Sequence, residues 1–270
     1  MPVLYVVATP IGNLEDTTLR ALRILKEVGL IAAEDTRKTR RLLATYGIKT
    51  PLTSYHEHNK KTKLARLLDS LKEKDVALVS EAGMPGLSDP GYELIVAATQ
   101  QGIPVVPIPG PSVVLTALVL SGLPTDQFTY LGFLPRKKGE RLRLLKSVAD
   151  EPRTIVAFES PHRLSTTLND QIETLGDRRI AVCRELTKVH EEVFRGKISE
   201  AIKYFAQPIG EFTLVIEGER QVEKPSLTPE VERQLRRLRL QGLSVKEAIA
   251  RLSSTTRIPK RELYRAWLRL

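Results

Sequence analysis

The first 110 residues alternate short apolar runs with longer segments whose apolar residues recur at helical spacing, and few folds can absorb that rhythm. Val3–Ala8, Leu30–Ala33, Pro51–Ser54, Val76–Val79 and Pro104–Pro107 are strand-sized. Between them, Thr18–Val28, Arg37–Tyr46, Lys60–Lys72 and Tyr92–Gln101 carry the helical pattern. Strands alternating with helices predict a mostly parallel sheet covered on both faces, an α/β architecture. The rhythm returns with strands at Phe128–Phe133, Thr154–Phe158, Arg179–Cys183 and Glu211–Glu217, and helices at Arg141–Val148, Pro161–Thr174 and Ser199–Phe205. A boundary near Ser121-Gly122-Leu123-Pro124 divides the chain into two α/β domains, 1–121 and 122–220.

Gln221-Val222-Glu223-Lys224-Pro225-Ser226 reads as a linker to a third region, 226–270. There Thr228-Pro229-Glu230 opens a helix with a capping hydroxyl, a first-turn proline and an acid at the positive end of the dipole. Ser244-Val245-Lys246-Glu247 is a capping box opening a second helix through Leu252. Pro259 opens a third, which carries Tyr264 and Trp267 three residues apart among Arg261, Arg265 and Arg269. The prediction is a small C-terminal helical domain, with both aromatics in its core rather than serving as stacking platforms.

The length of 270 residues suffices for two cores. No apolar run approaches the ~20 residues of a membrane span. Met1-Pro2-Val3-Leu4 leads directly into a strand with no leader pattern, so the expected location is the cytoplasm. A single cysteine, Cys183, excludes an intrachain disulfide and a multi-cysteine metal site, and its apolar neighbours read as a buried strand. Charge is unevenly placed. Residues 226–270 hold 11 lysines and arginines against 4 glutamates, a net +7 of the chain's +10. Such a concentration points to a polyanion partner.

In open α/β sheets ligands sit beyond the carboxyl ends of the strands. Those positions carry Thr9-Pro10-Ile11-Gly12-Asn13, Glu34-Asp35-Thr36-Arg37, Tyr55-His56-Glu57-His58-Asn59, the loop Ser80–Gly91, and Pro107-Ile108-Pro109-Gly110-Pro111-Ser112. Any one would pass for an ordinary turn; five on one edge mark a cleft. There is no glycine-rich dinucleotide fingerprint, no phosphate-binding P-loop and no nucleophile elbow. His56 and His58 lack a third ligand for a metal.

Further motifs follow in order: Gly132-Phe133-Leu134-Pro135, Glu159-Ser160-Pro161-His162-Arg163, Arg184-Glu185-Leu186-Thr187-Lys188 and Gly210-Glu211-Phe212. Together with the loops they resemble the tetrapyrrole-methylase-fold methyltransferases, from Val3 to about Gly218. Within that group the chain is similar to the enzymes that methylate a cytidine ribose 2′-hydroxyl in 16S ribosomal RNA of the small subunit, and a short helical extension is typical of them. The resemblance implies S-adenosylmethionine as cofactor, held between two α/β domains, and a homodimer. It implies cofactor contacts from Ser80, Glu81, Ala82, Gly83, Met84, Ser112, Ala117, Phe158, Glu159, Glu185 and Leu186. Glu81 and Met84 depart from the subgroup, which usually has Asp and Thr there.

Methyl transfer is an in-line displacement in which positioning supplies much of the rate, and a ribose hydroxyl needs a proton acceptor. Asp35, Arg37 and Glu57 are the candidates for that chemistry, with Asn13, His56, Arg163 and Lys188 on the substrate side. The plainer alternative has Asp35 capping the helix that begins near Thr36 while Arg37 pairs with it in solvent, and Glu34 merely ending its strand. Two other functions stay open: a tetrapyrrole C-methyltransferase of the same fold, and a non-enzymatic nucleic-acid-binding regulator built on the basic tail.

Overall fold

The computed structural model describes residues 1–219, 227–256 and 258–269, so the 221–226 linker reading lies outside the described residues. By compactness the chain forms two units, 1–219 and 220–270.

The first unit holds two five-stranded sheets. Strands β1 (Leu4–Val7), β2 (Leu30–Ala33), β3 (Leu52–Ser54), β4 (Val76–Val79) and β5 (Val105–Ile108) form an all-parallel sheet of order β3-β2-β4-β1-β5. Side chains alternate across a strand, and the core follows that alternation. Val7, Ile31, Ala33, Ala77 and Val79 pack with helices α1 (Leu19–Glu27) and α2 (Thr36–Thr45). Leu4, Ala32, Val76 and Leu78 pack on the other face with α3 (Lys60–Ser70) and α4 (Tyr92–Gln100). All four residues of β4 are buried, as a central parallel strand requires.

One helix escapes the periodicity argument: α5 (Val113–Ser121), of sequence VVLTALVLS. It is apolar on its exposed side as well as its buried one, Leu115 and Val119 being 54% and 72% exposed, so it shows no amphipathic stripe. Its Val114, Ala117 and Leu118, with Ile11 and Leu123, cover one face of the second sheet through Val156, Ala181, Cys183 and Val215.

That second sheet has the order β6-β7-β10-β8-β9, from β6 (Phe128–Phe133), β7 (Thr154–Glu159), β8 (Arg179–Arg184), β9 (Glu192–Lys197) and β10 (Phe212–Ile216). Here the mostly parallel expectation fails: only β6 and β7 run parallel, and the other three pairings are antiparallel. The cause is β9, a strand the sequence pattern does not announce. It reads Glu-Val-Phe-Arg-Gly-Lys, too polar for a core strand, as suits an edge. The connection from β8 has no helix and folds straight back. Helices α6 (Lys138–Ser147), α7 (Pro161–Leu175) and α8 (Ile198–Tyr204) cover the remaining face through Leu145, Leu164, Leu168, Ile198 and Ala201.

In the second unit α9 (Pro229–Leu240), α10 (Val245–Thr256) and α11 (Lys260–Trp267) close on a core of Val231, Leu235, Leu252, Ile258, Leu263 and Trp267. Thr228 caps α9 by accepting from the Val231 amide at 3.3 Å. The Ser244 amide donates to Glu247 at 3.0 Å and the Glu247 amide to Ser244 Oγ at 3.3 Å, a complete capping box. The two aromatics separate: Trp267 is buried under Arg239, while Tyr264 is 49% exposed. No helix among the described residues is long and apolar enough to cross a membrane.

One buried ion pair ties α6 to α7. Arg141 and Asp170 are 2.6 Å apart with side chains 3% and 4% exposed. Arg141 Nη1 also donates to the Pro135 and Arg136 carbonyls at 3.1 Å. Removing Arg141 would leave Asp170 with only Lys138 at 3.8 Å, and breaking such a buried pair costs about 3–5 kcal/mol in comparable sites. Urea unfolding of Arg141→Met should show a loss of that size, and adding Asp170→Leu should restore most of it.

Candidate functional site

The carboxyl ends of the parallel strands and the loops of the second sheet meet within the first unit. Thr9, after β1, and Gly83, after β4, exchange backbone hydrogen bonds of 2.9 Å in each direction. Gly83 has a φ of 78°, open to glycine and strained for a side chain. Ser80, 1% exposed, accepts from Thr9 Oγ1 through its carbonyl and donates its own hydroxyl back to the Gly83 carbonyl at 3.2 Å.

The loop after β1 runs on to touch the loop after β8. A Cβ on Gly12 would lie 2.6 Å from both Lys188 Cγ and Thr187 Oγ1, so only glycine permits this approach. The Asn13 amide donates to Thr187 Oγ1 at 3.0 Å, and the Asn13 side chain accepts from Glu15. Glu185 and Thr187 hold φ of 50° and 65°, a left-handed conformation that costs free energy in non-glycine residues. Part of the compensation is local. Glu185 accepts from the Glu211 amide at 2.8 Å and from Lys188 at 3.0 Å, and Lys188 also reaches Glu211 at 2.9 Å. Burial pushes the Glu185 carboxyl up, but those donors outweigh it and hold the group below its ordinary range.

Two cavities flank the Glu81-Ala82 segment. The first, about 320 Å³, is lined by Thr9, Ile11, Gly12, Lys38, Arg41, Ser80 and Lys188. The second, about 440 Å³, is lined by Glu34, Ser88, Asp89, Phe133, Phe158, Glu159 and Thr213. Glu81, Ala82 and Glu211 border both. They differ in electrostatic character. The first gathers Lys38, Arg41 and Lys188; the second gathers carboxylates beside aromatic rings. Phe158 there meets Tyr130 and Phe133 edge-on, with centroids 5.4 and 5.2 Å apart.

Within the acidic cavity Asp89 is pushed up to about 7, chiefly by burial and then by the nearby Glu34 charge, opposed in part by the Ser80 hydroxyl. Glu34 is raised as well, by burial and then by Asp35. Its carboxylate accepts from the Glu81 amide at 3.0 Å. Glu159 is 1% exposed and fully engaged, with Arg163 at 2.5 Å, Thr167 at 2.6 Å and the Ser160 amide at 2.6 Å.

The candidate residues are thus placed unequally. Ser80, Glu81, Ala82, Phe158, Glu159 and Lys188 line a cavity. Gly83 and Met84 continue the loop beneath it, and Ser112 caps α5. Ala117 and Leu186 are buried in the core between α5 and the second sheet. Arg163 spends its guanidinium on Glu159, Ser160 and the Leu134 carbonyl. Asp35 adopts the capping geometry, accepting from the Arg37 and Lys38 amides at 2.8 and 3.3 Å. Arg37 pairs with it at 3.3 Å, its side chain 87% exposed. Glu57 is paired with Lys60 at 2.9 Å, and His56 contacts Asn59 at 3.1 Å. None of Asp35, Arg37, His56 and Glu57 lines either cavity. Cys183 is 1% exposed, its thiol pushed up to about 12 by burial. Among the described residues no group of three His, Cys, Asp or Glu side chains is arranged to hold a metal.

Sequence reasoning passed over Asp89 and Tyr130 and gave Glu34 only a strand-ending role. Asp89 sits in the Ser80–Gly91 loop, but nothing in the sequence tells which acid of a loop is buried.

The family model for tetrapyrrole (corrin/porphyrin) methylases matches residues 3–202. The chain belongs to that family. This methylase is a methyl-transferring enzyme, and its relatives extend over nearly its full length. A ribosomal RNA small subunit methyltransferase I from Halalkalibacterium halodurans is 49% identical over 97% of this chain and 93% of its own. One from Synechocystis is 48% identical over 100% and 99%. One from Thermotoga maritima is 53% identical over 81% of this chain and 99% of its own, a span that matches the length of the first unit. A solved diphthine synthase superposes with a TM-score of 0.65 at 15% identity, covering 80% of this chain and 90% of that one. A uroporphyrin-III-C-methyltransferase from Thermus thermophilus does so at 0.58 and 22%, covering 80% and 94%. At these identities both speak for the fold alone.

The raised Asp89 carries a stability consequence. Between its unfolded value near 3.8 and about 7, the folded state binds the extra proton, so stability falls as pH rises through that window and levels off above it. Asp89→Asn removes the ionisation. Thermal melts should show the variant gaining on the parent from pH 4 to 7, then holding a constant lead; a lead independent of pH would contradict the assignment.

Proposed function

We propose that this methylase transfers the methyl group of S-adenosylmethionine to the ribose 2′-oxygen of a cytidine in 16S RNA of the small ribosomal subunit. The observation that carries the reading is the pair of adjoining cavities, one holding Lys38, Arg41 and Lys188 and the other lined by acids and no cation, in a chain alike over nearly its full length to ribosomal RNA methyltransferases. The cofactor is a cation at its sulfonium and its ammonium. The acidic, aromatic-walled cavity suits it by charge and by ring quadrupole, and about 440 Å³ lies within the usual range for small-molecule sites. Its residues therefore fit the group. When bound, S-adenosylmethionine supplies an activated methyl carbon. Glu81 and Ala82 line it, with Ser80 and Gly83 in the same loop; Phe158 and Phe133 form the wall, Glu34, Asp89 and Glu159 the field, and Glu185 and Leu186 would support from the second sheet. In this reading the chain divides at 121/122, and the cofactor would lie in a cleft between two lobes.

The basic cavity suits the acceptor strand. Lys38, Arg41 and Lys188 would neutralise phosphate there, with Asn13 at its edge. Asp35, Arg37, His56 and Glu57 line neither cavity; Arg37, 87% exposed beside Asp35, would meet a flanking phosphate. The Glu81-Ala82 segment common to both cavities is the place for methyl and hydroxyl to meet. A homodimer belongs to this reading, because Leu115 and Val119 on one side of α5 are 54% and 72% exposed. A cytoplasmic location accords with a ribosomal substrate.

The deciding experiment gives the enzyme small ribosomal subunits and labelled S-adenosylmethionine, then digests the RNA. A ribose methyl blocks alkaline cleavage at its own linkage and stays on the nucleoside; label on a base, or on no RNA at all, would sink the assignment. The cofactor cavity has its own test. A cation between Asp89 and Glu34 favours their ionised forms. Calorimetry should therefore find S-adenosylmethionine binding tighter as pH rises from 6 to 8. S-adenosylhomocysteine, without the sulfonium charge, should gain less.

A further inference from the structure

The second unit carries a groove that its fold does not need. It measures about 570 Å³ and lies between α10 and α11, with Val245 and Ile249 as an apolar floor. Tyr264 forms a wall, its ring half exposed although its neighbour Trp267 is buried. Lys246, Lys260 and Arg261 stand on the rim, and the groove is lined by no acid. Among the described residues none of these three cations is ion-paired; the unit's one pair, Arg233 with Glu230, is on α9. Three like charges around an apolar slot repel one another until an anion arrives.

We propose that this groove binds an unpaired nucleotide of RNA, its base against Tyr264 and its flanking phosphates on Lys246, Lys260 and Arg261. The inference rests on the RNA reading above and adds to it. A purely electrostatic tail would grip any polyanion, whereas an exposed ring over an aliphatic floor selects single strands, whose bases are free to stack. Charge complementarity chooses the occupant: a neutral apolar peptide would leave all three cations unsatisfied, and a duplex presents phosphates but no free base face. The Thermotoga relative spans only the length of the first unit. The groove thus serves capture of the substrate, outside the methyl-transfer machinery.

The test uses the full chain and fluorescence anisotropy with two labelled RNAs, a ten-nucleotide unstructured oligomer and a duplex of equal charge. Tyr264→Ala should weaken oligomer binding at least about fivefold, the low end of base–aromatic stacking, and leave its salt dependence and duplex binding unchanged. Tyr264→Phe should bind as the parent does. Lys260→Ala and Arg261→Ala should each make the salt slope shallower by about one. Equal affinity of Tyr264→Ala for the oligomer would overturn the groove while leaving methylation of ribosomal RNA standing. A parent protein without RNA affinity would overturn both readings. Should Tyr264→Ala lose helical signal by circular dichroism, unchanged salt slopes in the two cation variants would overturn the proposal by themselves. Intact RNA binding with lost attachment to a ribosomal protein would make the groove a protein site and refute it.

Discussion

The wedge of α5 and Ile11 against the second sheet is the contact on which the site depends. Val114, Ala117 and Leu118 on one side and Val156, Ala181, Cys183 and Val215 on the other form one apolar core. Each large side chain among them contributes on the order of 1.5–3 kcal/mol by leaving water. Because α5 follows β5 directly, this core fixes the carboxyl ends of the parallel strands against the loops of β7, β8 and β10. The cavities are what remains between two surfaces held at that spacing. A looser core would blur both, since neither cavity has a closed wall of its own.

On that frame the electrostatics run against local stability. Glu34 and Asp89 share one cavity, where burial raises both carboxyls; the Glu34 charge raises Asp89 further, and Asp35 raises Glu34. Glu185 and Thr187 hold left-handed backbone beside Gly12 and Gly210. Such costs persist only where surrounding structure over-determines them, and they gather where a ligand relieves them. A cationic ligand is what would relieve the acids. Glu159, by contrast, is fully compensated by Arg163, Thr167 and Ser160, so it shapes the cavity without storing free energy.

Much of the fold was legible because hydrophobic period is a direct record of burial. The strands and flanking helices of the parallel sheet lie within a few residues of where alternation puts them. The failures are physical too. Helix α5 carries apolar Leu115 and Val119 on its exposed side as well, so it has no stripe to read, and β9 is an edge strand whose polar residues conceal it. The site was legible as loops but not as roles. Asp35 and Arg37 look alike as chemistry and as a helix cap until the Arg37 and Lys38 amides are seen to use the carboxylate. Asp89 looked like one turn residue among many, because burial within a loop depends on contacts distant in sequence.

The charge distribution follows the same division of labour. The 226–270 region carries a net +7, leaving +3 for the far longer remainder. A methyl-transfer site for a polyanion faces conflicting demands: its cofactor cavity must be acidic to hold a cation, and the same acids repel the substrate's phosphates. Over a Debye length of about 8 Å at physiological salt, adjoining cavities cannot be electrostatically independent. A separate helical unit that carried most of the attraction for RNA, as proposed above, would ease the conflict, since the site itself could then keep Glu34 and Asp89. Of the three cations lining the first cavity, Lys38 and Lys188 are already tied to Glu81, Glu185 and Glu211. Their charge is thereby kept local and muted in the adjoining acidic cavity.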